Sequence, residues 1–141
     1  MTSGFVADAS AAIGWVHPGQ ATEGTERMLE AVAAGATIEV PALWSLEVAN
    51  ALLVLVRRRK LADAERLTAL GWLHGLRVKV DHDMAMLGFT TLSELASRHT
   101  LSVYDAAYLE LTQRRRLPLG CKDGPLRTAA KRCGVRLLDD V

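Results

Sequence analysis

The chain is 141 residues long, 50% hydrophobic and 5% aromatic, with 17 Lys or Arg against 16 Asp or Glu and a formal net charge of +1. That length predicts one domain over residues 1–141 that can bury a real core, while the near-neutral charge leaves any polyanion to be held by local patches. The two cysteines, Cys121 and Cys133, make neither a disulfide framework nor a CxxC zinc pair.

The start, MTSGFVADASAAIGWV, lacks a basic leader region and carries Asp8 inside its apolar part, so a signal peptide is not expected. The longest unbroken apolar run, ALLVLV at 51–56, is far short of the ~20 residues of a membrane span. A soluble cytoplasmic protein is the expectation. In chain order, GFVAD (4–8) predicts a buried strand. Residues 9–16 predict a short helix stopped by His17-Pro18, because the residue before proline avoids helix. Residues 21–34 predict a helix closed by Gly35, and TIEV (37–40) a strand ended by Pro41. Residues 42–60 predict a strong helix and 62–75 another. RVKV (77–80) predicts a strand, and 83–99 a helix with Asp81 or Asp83 as N-cap. Residues 102–116 predict a helix capped by Ser102, LPLGC (117–121) a strand, 124–133 a short helix closed by Gly134, and VRLL (135–138) a last strand. Strands separated by helices predict an α/β domain with a mostly parallel sheet.

Four acids interrupt apolar patterns. Asp8 follows the first strand and Asp123 follows LPLGC, which puts both at the carboxyl edge of the sheet, where α/β ligand sites lie. Glu47 shares a helix face with Leu43, Asn50 and Val54, and Asp105 lies beside Leu101, Tyr108 and Leu109. Each has a plainer explanation: Asp8 and Asp123 as helix caps, Glu47 as a half-exposed helix residue, Asp105 paired with Arg98. Taken together they point to a shared site. Like charges raise one another's pKa, and a divalent cation relieves this, carboxylates and water being the ligands that Mg²⁺ and Mn²⁺ prefer.

The order of these residues resembles the PIN domain, and in particular the VapC-type toxins of bacterial toxin–antitoxin pairs. The matching pieces are FVADAS (5–10), PALWSLEVANAL (41–52), LSVYDAAYLELTQRRRLPL (101–119) and CKDGPLRTAAKRCGVRLL (121–138). The resemblance implies a three-layer α/β/α PIN-like fold with a central, mostly parallel sheet. It implies Mg²⁺-dependent (or Mn²⁺-dependent) endoribonuclease chemistry, with Asp8, Glu47, Asp105 and Asp123 as catalytic metal ligands. Ser10 and Asn50 match residues that support the acids. It also implies a VapB-type antitoxin, a homodimer and an RNA substrate, transfer RNA being a common target in the family. Two departures surround the last acid: Cys121 stands where Thr or Ser is common, and Gly124-Pro125 follows Asp123 where a Lys-rich turn is usual.

Lys122, beside Asp123, is a candidate RNA phosphate contact. The basic runs 57–60 and 114–116 end helices, where cations favour the macrodipole and face solvent; phosphate contact is the alternative. His17, His74, His82 and His99 share no ligand spacing, and Trp15, Trp44 and Trp72 are expected in core or interface positions. Two other readings compete. A catalytically silent PIN scaffold that binds RNA or protein would be expected to have lost one of the acids. A receiver-like or dehalogenase-type phosphatase domain would want paired acids or DxD after the first strand, where this chain has DAS.

Overall fold

The computed structural model describes residues 4–122 and 124–138; Asp123 and its predicted role lie outside them. Four parallel strands, β1 (Gly4–Ala7), β2 (Thr37–Pro41), β3 (Val78–Asp81) and β4 (Leu119–Gly120), form a sheet in the order β3-β2-β1-β4. The connecting helices are α1 (Ala9–Val16), α2 (Glu23–Ala33), α3 (Trp44–Arg57), α4 (Asp63–His74), α5 (Ser93–His99), α6 (Val103–Arg115) and α7 (Gly124–Arg132), with a 3₁₀ turn at Pro18–Gln20. They flank the sheet in the three-layer α/β/α arrangement expected from the sequence.

β1 is buried along its whole length, as a central parallel strand must be. Its neighbours in the core include Ile38, Val40, Leu52, Leu109 and Leu119. Helix α6 packs on β1 and β2, and every residue from Ala106 to Thr112 is buried, so the middle of the helix is enclosed on all sides. Gly120 lets α2 approach the sheet: a Cβ there would lie 2.8 Å from Met28 Sδ.

Local signals read from the sequence recur as geometry. Ser102 caps α6, its hydroxyl accepting the Asp105 N–H at 3.0 Å. Gly35 and Gly134 close helices with φ of 102° and 72°. Four expectations change. Residues 83–99 do not form one helix: a 3₁₀ turn (Asp83–Leu87) and a π turn (Gly88–Leu92) precede α5. Gly88 and the β-branched pair Thr90-Thr91 weaken the helix there. The start of this segment, at His82, has no side-chain cap of its own; the Asp81 carboxylate before it is bonded to Arg114 and also takes the Asp83 N–H. LPLGC shortens to β4, and VRLL contributes one bridge, Leu137 to Leu119, in place of a strand.

Candidate functional site

The strand order places the site. From β1 the chain builds outward to β2 and β3, then returns to β4 on the other side of β1. The order therefore reverses between β1 and β4, and the crevice outside their carboxyl ends is where open α/β sheets bind ligands. Asp8 leaves β1 at that point, its N–H bonded to the Gly120 carbonyl of β4 at 3.1 Å.

Asp8 is 4% exposed, and a carboxylate so buried needs hydrogen bonds. Oδ1 accepts the N–H of Ala11 at 2.9 Å, so Asp8 does cap α1. The Ser10 hydroxyl reaches both oxygens, at 2.8 and 2.9 Å, and the Cys121 thiol donates to Oδ2 at 3.1 Å. Ser10 in turn accepts the N–H of Lys122 at 3.1 Å. The Trp44 indole N–H, at the start of α3, meets the Asp8 carbonyl at 3.4 Å.

Glu47, half-buried in the first turn of α3, accepts a 2.6 Å hydrogen bond from the Tyr108 hydroxyl of α6. Its carboxyl is raised above the usual 4.5 by burial first, against the lowering effect of the Tyr108 bond, and then by the charges of Asp105 and Asp8. The Tyr108 hydroxyl is pushed up by its own burial, by Glu47 and by the same two aspartates. These mutual effects bring Asp8, Glu47 and Asp105 into one electrostatic neighbourhood, although they leave β1, α3 and α6 separately. Asp105 occupies the first turn of α6 and is half-buried, and Arg98, its suggested partner, bonds Glu94 instead.

Two other residues lie differently from expectation. Asn50 is exposed on α3. The Lys122 ammonium is bonded to the backbone and side-chain oxygens of Gln20. Sequence reasoning passed over Tyr108 and treated Cys121 only as a departure. For Tyr108 the available signal was its spacing: it stands three residues after Asp105, on the same helix face.

Arg114, in the last turn of α6, is engaged by carboxylates. It forks onto Asp81 at 2.9 and 2.8 Å and bonds Glu110 through Nε and Nη2, both at 2.8 Å. Arg115 stands 3.5 Å from Asp81 and 3.4 Å from Glu39. Asp81 is accordingly held below the usual carboxylate range, by the Arg114 bond foremost.

Among the described residues, no group of three or more His, Cys, Asp or Glu side chains that could hold a metal ion is found, and no helix is long and apolar enough to cross a membrane. A largely apolar groove of about 610 Å³, lined by Trp44, Val48, Leu73 and Val80 among others, contains none of the acids.

No family model and no curated protein matches the chain by sequence. Solved structures do match by shape. PAE2754 from Pyrobaculum aerophilum superposes with a TM-score of 0.63 at 19% identity, over 99% of this chain and 93% of its own. VapC20 from Mycobacterium tuberculosis, a sarcin-ricin loop cleaving toxin, superposes with a TM-score of 0.59 at 19% identity, over 89% of this chain and 94% of its own. The chain therefore has the fold of these two proteins, and at the level of the fold the PIN-like, VapC-type resemblance read from its sequence is borne out.

Proposed function

We propose that this protein is a metal-dependent endoribonuclease, the toxin of a type II toxin–antitoxin pair, which hydrolyses RNA phosphodiester bonds at the site formed by Asp8, Glu47 and Asp105. The observation that carries this reading is electrostatic. Burial raises the Glu47 carboxyl first, and the charges of Asp105 and Asp8, carried by two other parts of the chain, add to it. The shared fold with VapC20 supports the same class of chemistry.

The donor set fits a divalent cation. The three side chains offer carboxylate oxygens only, and a cation relieves the repulsion felt at Glu47. Mg²⁺ keeps several waters and takes one or two carboxylates plus substrate phosphate, so it needs no cage of three protein ligands. Asp8, Glu47 and Asp105 would hold it, with Asp123 as a further proposed ligand. When bound, Mg²⁺ or Mn²⁺ supplies Lewis acidity, which neutralises phosphate charge and makes water a stronger acid. The chain's own contribution is positional. Ser10, Cys121 and the Ala11 N–H orient Asp8, and Ser102 anchors the turn that carries Asp105. The Lys122 ammonium would contact a phosphate after release from Gln20. A cognate antitoxin and a second copy of the chain are the proposed protein partners.

The test is cleavage of a mixed cellular RNA pool by purified protein freed of bound antitoxin, with Mg²⁺ or Mn²⁺ and with EDTA. Discrete fragments are expected only with metal, and Asp8→Asn and Asp105→Asn should each lower cleavage by roughly 100-fold or more. Equal behaviour of the wild type and both variants would remove the nuclease reading and leave a non-cutting PIN-like scaffold.

A further inference from the structure

The chemistry above needs three carboxylates and does not call on Tyr108. Yet Tyr108 is among the largest fully buried side chains, 1% exposed in the enclosed middle of α6. A phenylalanine of the same outline would fill that space equally well. A buried hydroxyl is a cost unless it finds an acceptor, and this one finds Glu47 Oε1 at 2.6 Å across 61 residues of sequence. That length belongs to a strong, charge-assisted O–H···O⁻ bond.

We propose that Tyr108 is the positioning residue of the acid site: its phenol, fixed by the core, clamps Oε1 of Glu47 and so sets where Oε2 is offered. A free Glu side chain samples many rotamers, and holding it costs entropy. The tyrosine meets that cost through its own burial. It also stands one turn beyond Asp105, so the same bond ties α3 to α6 and sets the spacing of Glu47 and Asp105. Oε2 accepts no hydrogen bond among the described residues. The consequence for cleavage rests on the nuclease reading; the clamp itself does not.

A double-mutant cycle of Tyr108→Phe, Glu47→Gln and the pair separates a clamp from a merely structural tyrosine. Three readouts are needed on folded protein: Mn²⁺ affinity by calorimetry, kcat and KM for RNA, and the Glu47 rotamer in a crystal of Tyr108→Phe. The clamp predicts a loss of about 10- to 100-fold in Mn²⁺ affinity and kcat for Tyr108→Phe, with KM for RNA unchanged. It predicts almost no further loss when Tyr108→Phe is added to Glu47→Gln, because the tyrosine acts through the glutamate. Unchanged Mn²⁺ affinity and kcat in Tyr108→Phe would overturn it. So would equal losses in the wild-type and Glu47→Gln backgrounds. If the wild type neither binds Mn²⁺ nor cuts RNA, the nuclease reading fails, and the rotamer decides the clamp. A displaced or disordered Glu47 in Tyr108→Phe then upholds it, and an unmoved Glu47 overturns it.

Discussion

Helix α6 meets acids of other elements near both its ends, Glu47 of α3 at one and Asp81 of β3 at the other, and the two ends handle them in opposite ways. At its N-terminal end the carboxyl of Glu47 is raised by burial first, and the charges of Asp105 and Asp8 add to the effect. At its C-terminal end Arg114 and Arg115 pull Asp81 down, and Arg114 also holds Glu110. Both groups sit partly or wholly out of water. A buried carboxylate matched by a forked guanidinium is a satisfied structural element. A half-buried carboxylate raised by burial and by neighbouring acids is held at some cost to stability, and such arrangements gather where a protein binds or reacts. The pKa directions separate the two ends more clearly than burial does, since Asp8 and Asp81 are 4% and 5% exposed.

Three variants sharpen the contrast, from the largest effect to the smallest. Arg114→Ala strands two buried carboxylates. Breaking one partner of such a group costs several kcal/mol, and with Arg115 still near Asp81 the loss should be about 3 kcal/mol. Thermal melting should show a fall of roughly 10 °C, with cleavage per folded molecule preserved. Loss of cleavage at full stability would mean that the two ends of α6 are not separate.

Acid titration comes next. Asp81 is depressed in the folded state, so the unfolded chain binds more protons at low pH. Its contribution is present above the ordinary value of 3.8 and lost as pH falls through the folded value. Asp81→Asn should therefore flatten the fall in unfolding free energy below about pH 4 in denaturant titrations. An unchanged acid limb would show that other carboxylates govern it.

Glu47→Gln has the smallest effect on stability and the opposite sign. Its carboxyl is raised above 4.5, so the folded state binds the extra proton and charge on Glu47 weakens the fold as pH rises through that range. At neutral pH the glutamine variant should melt a few degrees higher than the wild type while losing cleavage. A lower melting temperature would assign Glu47 to the structure of the fold.

Strands, helix caps and stops were legible in the sequence because they are short-range. Alternation, Ser102 and Gly35 act within a few residues, and parallel strands imply a carboxyl edge that receives Asp8. That four acids interrupt apolar patterns was equally visible. The break at 83–99 was less so, since its helical pattern continues through Gly88 and Thr90-Thr91. Which acids meet which partners was decided only by packing. Asp81 meets Arg114 across 33 residues, Glu47 meets Tyr108 across 61, and Asp8 meets Cys121 across 113. No local period encodes such pairs. The sequence by itself determined an α/β chain with odd acids. Tertiary packing, with the middle of α6 buried, decided that Asp81 and Glu110 are paired with Arg114 while Glu47 is held by Tyr108 and raised by burial and by the charges of Asp105 and Asp8.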